Sequence, residues 1–103
     1  MIDRIKTLAG EFSDEIVGIR RHLHAHPELS FKEFETSKFI QSKLDEWGIE
    51  YQSGYVNTGI VAHVKGNNPD SKVIALRTDI DALPIQEENT FDFASKNDGV
   101  MHA

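Results

Sequence analysis

Val73-Ile74-Ala75-Leu76-Arg77-Thr78-Asp79-Ile80-Asp81-Ala82-Leu83-Pro84 is an apolar run that ends in two carboxylates spaced i, i+2 and is then closed by a proline. Four consecutive apolar residues read as a short buried strand, and Pro84 stops any ladder from continuing. The spacing predicts a strand over 72–78 that leaves its sheet at Asp79 and Asp81. Open α/β sheets keep their ligands where strands end, so the two aspartates are the first candidates for chemistry. Carboxylates two apart can hold a hard cation, orient a metal-bound imidazole or share a proton. They can equally cap a turn, as Asp81 can before Ala-Leu-Pro.

Upstream of this run, Ile5, Leu8, Phe12, Ile16, Ile19 and Leu23 recur at steps of three and four. That stripe predicts an amphipathic helix over 3–24, ended by Pro27. Ser30 with Glu33 has the Ser-x-x-Glu form of a capping box and predicts a second helix from Ser30, closed at Gly48 with Ile49 folded over the end. Residues 51–56 and 60–65 read as strands joined by Asn57-Thr58-Gly59, a hairpin. Residues 86–98 are polar with isolated Phe91 and Phe93, and no element is assigned there. Helix, helix, hairpin, strand predicts an α/β class: a mixed sheet with flanking helices. A central strand needs more neighbours than one hairpin provides, so an apolar face is expected to stay open.

Composition narrows the classes of function. The 103 residues carry 11 Lys and Arg against 17 Asp and Glu, a net charge of -6, with no basic cluster beyond Arg20-Arg21. Phosphate binding needs concentrated positive charge, so nucleic acid is not an expected partner. No apolar run approaches the roughly 20 residues that span a bilayer, and the N-terminus has no signal-peptide core. A soluble cytoplasmic protein with no membrane partner is expected. The absence of cysteine excludes disulfides and thiolate ligands within these residues.

Five histidines remain. His22, His24 and His26 alternate, and residues two apart on a helix point about 200° from each other. His22 and His24 therefore cannot share an ion while helical; His24 or His26, beside Pro27, can line a site. The competing reading is that these histidines serve the helix C-terminus, where a cation suits the dipole. His63 reads as a surface strand residue, and His102 as a tail residue when taken alone.

Three ordered blocks change the weight of these residues. Arg21-His22-Leu23-His24-Ala25-His26-Pro27-Glu28-Leu29-Ser30-Phe31 with Glu33 and Thr36, then Leu76 to Pro84, then Gly99-Val100-Met101-His102-Ala103, resemble the successive signatures of the metal-dependent amidohydrolases. That family, within the wider aminoacylase/carboxypeptidase clan, holds aminoacylases, hippurate hydrolase and N-acetyldiaminopimelate deacetylase. Its second block usually reads Leu-Arg-Ala-Asp-Met-Asp-Ala-Leu-Pro, and its third runs on as Cys-Gly-His-Asp. The resemblance implies a zinc-peptidase-like catalytic domain of which residues 1–103 are the N-terminal portion. The rest of that domain and an inserted dimerisation or lid domain would be absent.

The implied reaction is hydrolysis of the amide in a small N-acyl amino acid or peptide, with divalent Zn, Mn, Ni or Co as cofactor. In the clan's strand-end motif, His-x-Asp, the His binds metal and the Asp orients it. Asp79 stands at the first position here and Asp81 at the second. The resemblance thus implies Asp81 as the catalytic-site carboxylate, with Asp79 and His102 at the metal, mainly from behind its ligands. The main ligands and the base glutamate would lie beyond Ala103, so these residues alone are expected to be inactive and to bind no metal tightly. Two other readings compete. One is a non-catalytic module that associates through an exposed sheet edge, giving a homo-oligomer. The other is a free-standing metal-binding protein using Asp79, Asp81, His24 and His102.

Overall fold

The computed structural model describes residues 1–103. Helix α1 spans Ile2–Ala25, matching the apolar stripe within a residue at each end. Its stripe is not covered: Ile5, Phe12 and Ile16 all stay exposed. Pro27 ends it and is fully buried, and the preceding His26 has already left the helical region, at φ -123 and ψ 59.

Helix α2 spans Phe34–Glu46 and begins three residues later than the Ser30 cap predicts. The reason is where the side chains go. Ser30 Oγ donates to Asp81 Oδ2 instead of to a helix amide. Glu33 turns its carboxylate back to the Phe31 amide at 2.8 Å and takes the Thr58 hydroxyl at 2.7 Å. Glu28 supplies the cap: its carboxylate accepts the Glu35 and Thr36 amides at 3.2 and 2.6 Å, and the Thr36 hydroxyl as well. Two of the amides that a helix start leaves without partners are thereby satisfied from outside the helix. The other end follows expectation. Gly48 sits at φ +66, and the Gly48 and Ile49 amides return to Asp45 and Leu44 carbonyls, the paired bonds of a Schellman closure.

Strands β1 (Glu50–Tyr55) and β2 (Gly59–His63) form an antiparallel hairpin in which Tyr51 faces Ala62 and Ser53 faces Ile60. The turn falls at Val56-Asn57-Thr58, one residue earlier than the sequence suggests, with Val56 and Asn57 both at positive φ. Helices and a small antiparallel sheet are thus the main elements.

The predicted strand over 72–78 takes no strand pairing: its backbone has no partner in the chain, and Val73, Ile74 and Leu76 are 93%, 85% and 97% exposed. An unpaired strand gains no ladder bonds against its conformational entropy. Pairing resumes just past it. The Ala82 amide donates to the Glu28 carbonyl at 2.8 Å, and Leu83 and Met101 exchange amide–carbonyl bonds at 2.9 and 3.0 Å. Residues 82–83 therefore lie between a parallel neighbour at Leu29 and an antiparallel one at Met101, a mixed ladder of single bridges. The core sits here, with Ala25, Pro27, Ala82 and Val100 buried.

Residues 86–98, unassigned from sequence, fold against the end of α1. The Lys96 amide donates to Ala25 O at 2.9 Å, and Asn97 Nδ2 to Pro27 O at 3.1 Å. Phe91 and Phe93 stack 4.1 Å apart, with the Arg21 guanidinium 4.6 Å over the Phe93 ring. The whole chain exposes 8359 Å². A compact protein of this mass exposes about 5,800 Å². Its radius of gyration of 15.9 Å likewise exceeds the roughly 13 Å of a closed domain of this length. No helix is long and apolar enough to cross a membrane.

Candidate functional site

The mixed ladder determines what meets what. Pairing Leu29 with Ala82 sets Ser30 beside Asp81, and their side chains bond. Pairing Leu83 with Met101 brings His102 back toward the same place. His102 is half-buried, and its Nε2 is shielded from solvent with no hydrogen-bond partner. Burial pushes its imidazole below the usual range; the charge of His24 adds to that, while Asp81 opposes it.

His24 approaches from α1 and is held by a carboxylate. Its Nε2 lies 3.0 and 3.2 Å from the two oxygens of Glu87. Glu87 is buried and also accepts the Ser95 amide at 2.6 Å and Asn89 Nδ2 at 3.1 Å. The Ser95 amide is the main influence holding this carboxyl below the ordinary range; burial works against it, and Asn89 and His24 reinforce it. A carboxylate on one ring nitrogen fixes the orientation of the imidazole and leaves the other nitrogen for a second partner.

A cleft of about 390 Å³ collects these groups, lined by His24, Thr78, Asp79, Ile80 and His102 against Ile16, Ile19 and Ile40. The structure therefore brings Asp79, His24 and His102 to one cavity. Asp79 is well exposed there, with Oδ1 accepting from the Arg77 guanidinium at 2.8 Å. Asp81 lies behind the cleft, on Ser30, and reaches it through its influence on His102. His26 takes no part, since its Nδ1 donates to the His22 carbonyl at 2.8 Å as a C-terminal cap. His63 is exposed on β2 opposite Glu50. No group of three or more His, Cys, Asp or Glu side chains converges as a ready metal cage.

Sequence reasoning missed Glu87 and the Ser30–Asp81 contact. Glu87 sits in a polar stretch without periodicity, and Ser30 carries a stronger local signal as a helix cap. Both gain their roles from residues far away in the chain.

No protein-family model matches the chain. Individual relatives do. It is 50% identical over 101 residues to an N-acyl-L-amino acid amidohydrolase of Geobacillus stearothermophilus, which covers 98% of this chain and 27% of that protein. It is 52% identical over 93 residues to the N-acetylcysteine deacetylase of Bacillus subtilis, covering 89% of this chain and 24% of the relative. Among solved structures, the YxeP protein of Bacillus subtilis, a dinuclear metal binding peptidase from the M20 family, matches with a TM-score of 0.83 and 50% identity over 90% of this chain and 26% of its own.

Proposed function

We infer that this chain, which spans only about a quarter of the length of the curated relatives it matches, corresponds to the N-terminal quarter of the metal-dependent amidohydrolases and M20 peptidases. From that premise we propose that it forms the N-terminal portion of the catalytic domain of a cytoplasmic N-acyl-amino-acid amidohydrolase. The substrate is a small N-acylated amino acid or peptide, and the cofactor a divalent metal such as zinc, manganese, nickel or cobalt.

A single observation carries this reading: the buried, unpartnered Nε2 of His102 shares a cleft with the carboxylate of Asp79. A shielded imidazole nitrogen without a partner is costly unless something binds it. Imidazole and carboxylate are donors that suit such ions, so these residues fit the group. His102 and Asp79 would hold or flank it, and the metal supplies Lewis acidity toward the amide carbonyl and the attacking water. Asp81, anchored by Ser30, favours the charged form of His102 through its own negative charge. His24, fixed by Glu87, lines the same cleft.

The test is a chimera in which this chain replaces the aligned 101 residues of the Geobacillus stearothermophilus amidohydrolase. A folded chimera hydrolyses N-acetyl amino acids in a metal-dependent way, and Asp81→Asn lowers kcat by about 10- to 100-fold. A chimera that folds, judged by its thermal melt, and takes up metal but turns over no N-acyl substrate overturns the proposal.

A further inference from the structure

The cleft of His102 is lined by more than its polar groups. Ile16, Ile19, Leu23 and Ile40 supply an aliphatic wall, and Arg20 stands among them. We infer that the cleft takes the N-acyl derivative of an aliphatic amino acid. Its free α-carboxylate lies on Arg20 and its side chain against the isoleucines. The inference rests on the amidohydrolase reading and adds which amino acid is held, and by which residues.

Helix geometry sets the order of these groups. Ile16, Arg20 and His24 are four apart on α1 and form one row, with Ile19 and Leu23 in the row beside it. Each step along a row advances about 6 Å. Arg20 therefore stands one turn before His24, and its long stem can carry a guanidinium toward a carboxylate held near the polar end. Ile40 adds a side chain from α2 to the same wall.

Arg20 is an uncommitted cation. None of the ion pairs in the chain uses it, whereas Arg77 is engaged with Asp79, and Arg21 lies over the Phe93 ring. It is also the one Lys or Arg among the residues lining the cleft. A guanidinium offers parallel N–H donors that match the two oxygens of a carboxylate. Asp79 opposes an anion in the same cleft, but its charge is met by Arg77 at 2.8 Å. A second carboxylate on the ligand would have only the aliphatic wall or Asp79 to face, which disfavours acidic amino acids. The volume of about 390 Å³ suits one small molecule and not a long peptide.

An NMR shift titration of the chain itself tests this without turnover. N-acetyl-L-leucine should bind at least about tenfold more tightly than N-acetylglycine, because its isobutyl group leaves water against the wall. N-acetyl-L-leucinamide, which lacks the carboxylate, should bind about three- to fivefold more weakly than the acid, the scale of an exposed ion pair. Arg20→Gln should erase that difference. Ile16→Gln should weaken the leucine derivative and leave the glycine derivative unchanged. Both positions are exposed on α1, circular dichroism checks that the helix is kept, and the ligand series on the unaltered chain needs no variant. Equal affinities for the leucine and glycine derivatives, an acid–amide difference that survives Arg20→Gln, or no saturable binding overturns the inference. A chimera that hydrolyses N-acetylglycine and N-acetyl-L-leucine with equal kcat/KM also overturns it while leaving the amidohydrolase reading intact. An inactive chimera beside the stated binding pattern counts against that reading alone.

Discussion

Residues 25–30 with 81–102 and residues 64–80 are two halves of one contrast. In the first region polar groups are met by groups well separated in sequence: Glu28 by the α2 amides, Ser30 by Asp81, Glu87 by His24 and Ser95, Asn97 by Pro27. In the second, the most strand-like stretch of the chain lies bare, with Val73, Ile74 and Leu76 facing water. The lesson is that propensity does not make a strand; partners do. The first region is held by polar bonds around small buried residues. The second has apolar side chains and nothing to bury them against.

The comparison can be broken most sharply at Ala82, which is 4% exposed at the centre of the mixed ladder. Ala82→Leu should cost up to about 3 kcal/mol in urea unfolding, because added methylenes there must push the flanking bridges apart. A smaller loss is expected from Glu28→Ala, which strips two α2 amides of their acceptor. We expect about 1–2 kcal/mol, with the helix signal at 222 nm falling in step.

Protons should probe the same region next. His22 and His102 both titrate below the ordinary imidazole value of 6.5, so the unfolded chain binds the extra protons. Stability is therefore full above that value, declines as pH falls through it, and levels off once the folded imidazoles themselves protonate. Glu87, held below its ordinary 4.5, adds a second decline at lower pH. Thermal melts across this range should flatten in the upper window when His22 and His102 are both replaced by Gln. The smallest effect belongs to the bare stretch. Leu76→Lys should change the folding free energy by no more than about 0.5 kcal/mol, since the side chain touches nothing. Its consequence should appear instead in sedimentation, as reduced self-association at high concentration, because an exposed apolar strand is a template for pairing. A large destabilisation by this substitution would show that the two regions are not so different.

Much of this was legible in advance wherever the signal is local. The α1 stripe, the Gly48 closure and the hairpin all follow from residues within a few positions of each other. The site was legible only in outline. Asp79 and His102 could be nominated, and they do share a cleft. Ser30 and Glu33 carry a strong helix-start signal, yet Asp81 and Thr58 outcompete it, which no local pattern announces. Glu87 was invisible because a buried carboxylate and a solvated one look alike until the fold surrounds one of them. The 72–78 run was misread for the opposite reason: its pattern is correct for a strand, and its pairing lies outside what the pattern encodes.

The mixed ladder has a kinetic corollary. Ser30 and Asp81 meet across 51 positions of chain, and the bridge beyond them, Leu83 to Met101, closes only when Met101 arrives. Helices and hairpin can form while the polypeptide is still being made, whereas the amides of Leu83 and Met101 gain their protection from hydrogen exchange later, after that of Ala82 can already have closed on Glu28. Until then the aspartates and histidines that line the cleft are strangers to one another.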